Sequence, residues 1–265
     1  MKKLLFLGLT SLLAMSFLSS CNKTADSSTN GKTPLSLYLT DDPGKYDKVN
    51  IDIQSVQIRY SDNSSDSGWT AVNLTRAGIF NLLDFRNGYD TLLAKQTVTS
   101  GRISQIRLIL GPNNSVVYNG VTYPLVTPSA QQSGLKLNVQ SDLVSDIDYR
   151  LWLDFDAGKS IVQTGNGKFI LKPVIRTYVD AISGGITGMI NPLNSTGFIY
   201  ALRNTADTVA SAIPSAAGSF TFRGLSAGSY TLSFDGINGY RDTTLNNINV
   251  VVGALTNAGT MVLHQ

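Results

Sequence analysis

Leu35, Leu37 and Leu39 alternate with Ser36 and Tyr38, the period-two pattern of a strand with one face buried. Val49, Ile51 and Ile53 repeat the pattern. The apolar phase then slips by one at Gln54-Ser55 and resumes at Val56 and Ile58, which predicts a β-bulge within a single strand. Asp62 to Gly68 is a polar turn cluster ahead of a strand led by Trp69, and Gly78 to Phe85 accommodates a short helical turn. Ile106, Leu108 and Leu110 form another alternation that stops at Gly111-Pro112-Asn113-Asn114, and Tyr118-Asn119-Gly120-Val121 fits a tight hairpin. The clearest strands run through Leu135, Leu137 and Val139, and through Ile147, Tyr149, Leu151, Leu153 and Phe155. Gly165-Asn166-Gly167 turns the chain into Phe169 to Tyr178, which closes a first unit.

Ser183-Gly184-Gly185 is the one compositional break wide enough for a domain boundary, and it is too short to let two units move far apart. Beyond it, short apolar stretches at Ile186, Phe198 to Leu202, Phe220 to Phe222, Tyr230 to Phe234, Ile248 to Val252 and Met261 to Leu263 indicate about seven strands in a small β-sandwich. The expected architecture is all-β, two tandem sandwich-like domains over residues 33–182 and 183–265. Composition points the same way. All 18 acidic residues are Asp and none is Glu, and Asp favours turns and caps where Glu favours helix interiors.

The first residues carry a different pattern. Lys2 and Lys3 precede an apolar run from Leu4 to Leu18, too short to span a bilayer comfortably, followed by Leu18-Ser19-Ser20-Cys21. This reads as a cleaved export signal over residues 1–20. Leu-Ser-Ser-Cys resembles the bacterial lipobox, which implies lipidation of Cys21, and residues 21–32, poor in large apolar side chains, read as a tether. Removing Lys2 and Lys3 leaves 19 basic residues against 18 acids, so the basic pI belongs to the leader and the mature chain offers no field for nucleic acid. The single cysteine leaves no disulfide, and with one histidine, His264, a zinc or iron site lacks ligands. No cofactor, metal ligand set or catalytic residue is expected. Asn22 after the cysteine is the pattern of release to the outer membrane.

Carboxylates are the remaining candidates for chemistry. On one strand, Asp148, Arg150, Trp152, Asp154 and Asp156 share the face opposite Leu151, Leu153 and Phe155. Strand geometry sets Asp154 and Asp156 roughly 7 Å apart, a spacing glycosidases use. The competing reading is a ladder of cross-strand pairs, or a face covered by a neighbouring loop, and it is the stronger. Asp41-Asp42 at a strand end, and Asp62 with Asp66, offer hard oxygen ligands for calcium but match no EF-hand spacing and more ordinarily cap backbone groups. Gly224 to Gly228 lacks the Lys-Ser/Thr ending of a phosphate loop and is a hairpin turn. Asp90-Thr91-Leu92, Asp207-Thr208-Val209 and Asp242-Thr243-Thr244 look like O-glycosylation acceptors of exported Bacteroidetes proteins.

Three segments of the first unit resemble the bacterial family known as domain of unknown function 4382. They are Thr40-Asp41-Asp42-Pro43, Gly101 to Leu108, and Ser133-Gly134-Leu135-Lys136-Leu137. Leu153 to Val162 and Leu171-Lys172-Pro173-Val174-Ile175-Arg176 look like that family's most distinctive stretch. The second unit, through Gly185-Ile186-Thr187-Gly188, Gly218 to Leu232 and Gly239-Tyr240, is similar to carboxypeptidase regulatory-like modules of transthyretin-like topology. Such modules are grouped with carbohydrate-binding-like folds, and neither resemblance brings a catalytic residue. The expected protein is therefore a membrane-anchored envelope lipoprotein that binds or scaffolds without catalysis. Its candidate partners are the membrane, through the lipid, and a glycan or an envelope protein. The rivals are a fimbrillin-like pilus subunit, cleaved after Lys45, Arg59 or Arg76 and assembling by strand exchange, and a glycoside hydrolase using Asp154 and Asp156.

Overall fold

The computed structural model describes residues 31–60, 68–127, 133–204 and 207–265. Cys21, Asp62 and Asp66 lie outside them. The described chain is nearly all β. In the first half the strands are β1 (Lys32–Asp42), β2 (Lys48–Arg59), β3 (Thr70–Val72), β4 (Gly78–Asn81), β5 (Thr91–Thr99), β6 (Gly101–Leu110), β7 (Ser115–Tyr118) and β8 (Val121–Val126). They continue as β9 (Leu135–Leu143), β10 (Tyr149–Asp156), β11 (Ile161–Gln163), β12 (Phe169–Leu171) and β13 (Ile175–Val179). The second half adds β14 (Gly184–Asn191), β15 (Thr196–Arg203), β16 (Asp207–Ala212), β17 (Ser219–Leu225), β18 (Gly228–Gly236), β19 (Thr243–Val250) and β20 (Leu255–Val262).

Each half is a pair of sheets. One sheet has the order β13-β10-β1-β5; its partner runs β11-β12-β8-β7-β2-β6-β9, with β3 and β4 also paired to β2. Leu35, Leu37 and Leu39 of β1 and Leu151, Leu153 and Phe155 of β10 meet Val49, Ile51, Ile53, Val56 and Ile58 of β2 in one apolar cluster. Period two does the sorting: alternate residues of each strand enter the core, and the rest face away. The expected phase slip is present, since pairing of β2 with β6 shifts register between Ile53 and Ser55. The second half packs β17-β14-β20 on β16-β15-β18-β19 around Ile186, Phe220, Phe222, Leu232 and Phe234.

Two expectations need correction. Phe169 to Tyr178 reads as one stretch but is two strands in different sheets: β12 pairs with β8 and β13 with β10. Pro173 lies between them, has no N–H to donate and disfavours continuation through Lys172, so the chain crosses from one layer to the other there. β16 is missing from the apolar stretches because its fully buried residues are only Ala210 and Ala212, with Val209 half-buried against the same core.

The loop between β6 and β7 is held from the side by Asp52, a buried carboxylate on β2. Its Oδ2 accepts from the Asn113 amide at 3.3 Å and from Asn113 Nδ2 at 3.1 Å, while Asn114 Oδ1 accepts from the Asp52 amide at 2.9 Å. A Cβ at Gly111 would fall 2.2 Å from Asp52 Oδ2, so only glycine lets the loop approach the carboxylate.

Candidate functional site

β1 and β10 run parallel, with Thr40 opposite Asp154 and Asp42 opposite Asp156. Parallel partners project to the same side, so the outward face of this sheet collects Thr40, Asp42, Asp154 and Asp156. β13 adds Arg176 opposite Asp154 and Tyr178 opposite Trp152. This face is not solvated at its Asp42 end. The second sandwich lies across it, and Trp152, Asp154 and Asp156 are all buried. Of the five face residues singled out by the alternation, only Asp148 and Arg150 are exposed. They pair with each other at 3.2 Å at the opposite end of β10. The expected polar face is thus two places, and only one of them faces water.

At the covered end Arg176 is the hub. Its Nε donates to Asp154 Oδ2 at 2.8 Å, and its Nη2 donates to the same oxygen. Nη1 and Nη2 also reach the carbonyls of Gly224 and Arg223, each at 3.1 Å, near the C-terminal end of β17. Asp42 Oδ2 accepts from the Ser211 amide of β16 at 3.2 Å. Gly224 has φ +66, and a Cβ there would stand 2.3 Å from the Tyr178 ring, so the end of β17 rests its backbone directly on that ring. Tyr178 in turn stacks on Trp152 at 5.6 Å and 4°, and Trp152 on Tyr38 at 4.8 Å and 14°. Trp152 Nε1 donates to Asp90 Oδ2 at 2.8 Å. Trp152 therefore presents neither face to a ligand.

Asp41 and Asp156 serve the backbone beyond the strand ends. Asp41 Oδ1 accepts from the Ala157 amide at 3.1 Å; Asp156 Oδ1 accepts from the Lys159 amide at 2.8 Å and its Oδ2 meets Lys159 Nζ at 2.9 Å. Together they close the single helical turn Ala157–Ser160. Burial raises the Asp41 carboxyl well above the usual carboxylate range, and the charges of Asp154 and Asp42 add to it. Asp42 is raised well above that range too, by burial and then by Asp154. Asp154 is raised by burial in spite of Arg176. The free space between these groups is about 20 Å³, room for an ordered water molecule but for no larger ligand. Among the described residues no group of three or more carboxylate, thiol or imidazole side chains is arranged to hold a metal ion.

Next to this junction lies an open cleft of about 300 Å³, between the turn Pro43–Tyr46 with Gly158 and Lys159 on one side and Phe198, Tyr200 and Thr208 on the other. Phe198 and Tyr200 alternate with the core residues Ile199 and Ala201 on β15, so they project away from the second core. Their rings stack at 6.0 Å and 10°, and Lys45 Nζ stands 5.3 Å from the centre of the Phe198 ring. The apolar pattern marked this strand without distinguishing its two faces. Two aromatics in the polar phase of an alternating strand were the available signal. Trp69 is held between Arg59 and Arg107, at 5.0 and 4.4 Å, and Tyr240 packs on the second core.

No curated protein matches the chain. Among solved structures it is similar to the Bacillus anthracis TIE protein, at 11% identity and TM-score 0.24 over 89% of this chain and 34% of that one, so it spans about a third of that protein's length. It is also similar to GBS52, the minor pilin of Streptococcus agalactiae, at 11% identity and TM-score 0.24, covering 86% of this chain and 94% of that one. The fimbrial anchor protein Mfa2 from Porphyromonas gingivalis gives 11% identity and TM-score 0.24, with 87% and 91% covered. These are distant likenesses from which no function transfers. The model of the family described as domain of unknown function DUF4382 matches residues 32–173, more than half of the chain, taking in β1, β10 and the four strand-end aspartates, and the protein belongs to that family.

Proposed function

We propose that the protein is a lipid-anchored cell-envelope protein that holds two β-sandwiches in fixed relation as a non-catalytic binding scaffold. Its ligand enters the cleft between Lys45, Lys159, Phe198 and Tyr200. The observation that carries this reading is the Asp154–Arg176 junction. The carboxylate a hydrolase would need is committed to a guanidinium that binds the second sandwich, with about 20 Å³ left around it. A sugar ring does not fit the space around Asp154, whereas the neighbouring cleft is lined by the Tyr200 ring beside a largely buried Phe198, by the Lys45 ammonium near the Phe198 ring, and by Lys159 paired with Asp156. Stacked aromatic faces with cationic donors suit a glycan bearing carboxylate groups. Anchoring follows from Cys21: several acyl chains, each buried methylene contributing about 0.8 kcal/mol, hold a protein in a membrane where one chain does not. The proposed location is the outer membrane.

The test is a glycan array with detergent-solubilised full-length protein, beside Phe198→Ala and Tyr200→Ala variants. Binding to acidic glycans that both variants reduce about fivefold is expected, since each aromatic contact contributes about 1 kcal/mol. Binding untouched by either variant would move the ligand site elsewhere.

A further inference from the structure

Several aliphatic side chains stand in water at one end of the molecule. Val144 and Ile147 are 56% and 55% exposed, and Ile182 is 71% exposed. The three line a groove of about 590 Å³ that also includes Gly253. Val251 and Val252, in the adjoining turn, are exposed as well, and that turn is bound to Ser183 through the Gly253 amide at 2.8 Å. Both sandwiches therefore contribute to a single apolar end.

The chain enters the first sandwich at this same end. The Lys32 carbonyl accepts from the Asp146 amide at 2.9 Å, and Thr33 Oγ1 donates to the Val144 carbonyl at 2.8 Å. A Cβ on Gly31 would lie 2.7 Å from Ser145. Eleven residue steps separate Lys32 from Cys21, so whatever their conformation they reach at most about 40 Å. An anchored Cys21 thus keeps the apolar end near the bilayer. The charges around it are the pairs Asp142 with Arg102 at 3.5 Å and Asp148 with Arg150 at 3.2 Å together with the exposed Asp146 and Asp180, with no basic cluster to seek anionic headgroups.

We propose that the end bearing Val144, Ile147, Ile182, Val251 and Val252 rests on the lipid surface, its aliphatic side chains entering the headgroup layer. The inference rests on the lipid-anchor reading above and adds to it an orientation: the β7–β8 hairpin, at the far end of β1, points away from the membrane. The contact is apolar, so it is insensitive to salt.

Cys21 is the only cysteine, so a second one is uniquely labelled once the first carries lipid. Full-length lipidated protein with Ile147→Cys, Ile182→Cys or Val121→Cys is labelled with an environment-sensitive fluorophore and reconstituted into phosphatidylcholine vesicles containing a lipid-borne quencher. All three positions are exposed, so the labels leave both cores intact. Fluorescence at 147 and 182 is expected to fall at least roughly twofold at low and high salt alike, with 121 unchanged, as side chains sunk about 5–10 Å into the interface require. Equal responses at the three positions would overturn the orientation while leaving the anchor standing. Labels at 147 and 182 that are shielded from aqueous iodide but untouched by the lipid quencher would mean that a second protein copy covers this end, which also overturns it. Protein that fails to stay with the vesicles at all would instead refute the anchor.

Discussion

Asp41 Oδ1 accepts from the Ala157 amide, while Oδ2 is buried without a hydrogen-bond partner among the described residues. With Asp42 and Asp154 close by, the folded state holds protons on these carboxyls more tightly than the unfolded chain does. Their contribution to stability is therefore fully present below the unfolded carboxyl value of about 4 and is lost as pH rises through the raised folded values. Asp41→Asn keeps an Oδ1 acceptor for Ala157 and removes a charge. Thermal scans of variant and parent should show the variant gaining relative stability as pH rises from about 4 to about 8; a constant difference would mean that Asp41 is not the titrating group. At Gly111, alanine would displace the Asp52 carboxylate from Asn113. An overpacking cost of about 1–3 kcal/mol is expected, seen as a lower urea midpoint with unchanged m-value. The Gly-Pro-Asn-Asn turn is legible in the sequence. The carboxylate 59 positions earlier that requires its glycine is not, because that contact exists only once β2 and β6 pair.

At the scale of elements, alternation located β1, β2, β6, β9 and β10 and sorted their inward residues, because period two leaves a direct trace wherever one face is apolar. It located β16 poorly, since alanine is a weak apolar signal, and joined β12 to β13 across Pro173. The outward face of β10 shows the larger limit. Asp148 to Asp156 reads as one polar ladder, yet its far half is covered by a sandwich that starts nearly thirty residues later. The Asp154–Arg176 pair on this face is a junction between elements and is testable as one. Arg176→Ala leaves the Asp154 carboxylate buried and unpaired, a change that typically costs about 3–5 kcal/mol. Adding Asp154→Asn should restore much of the loss, and calorimetry of the single and double variants measures the coupling. If Arg176→Ala melts like the parent, the guanidinium does not join the two halves.

For the whole molecule, the two sandwiches share the Arg176 and Asp42 contacts and the cleft beside them, so the cleft proposed to take a ligand adjoins the contacts that join the two halves. Cys21→Ala should leave the fold unchanged by circular dichroism and move the protein from the membrane to the soluble fraction; persistent membrane association would refute the anchor. Mild trypsin treatment separates scaffold from pilus subunit. Lys45 is exposed just after β1, but β1 is a central strand with Leu35, Leu37 and Leu39 fully buried, so the protein should remain monomeric. Polymers after cleavage would favour strand exchange. From the sequence by itself come the all-β class, the inward residues of the main strands, the resemblance of the first unit to its family, and the expectations of a break near Ser183 and of a lipid anchor. All of these rest on local periodicity, composition or contiguous motifs. Only the tertiary structure decided that the acidic face is a junction, that Phe198 and Tyr200 line a cleft, and that exposed aliphatics from both halves gather where the chain enters. Burial and proximity arise from packing between segments far apart in the chain, and alternation within one strand carries no record of what will lie across its outer face.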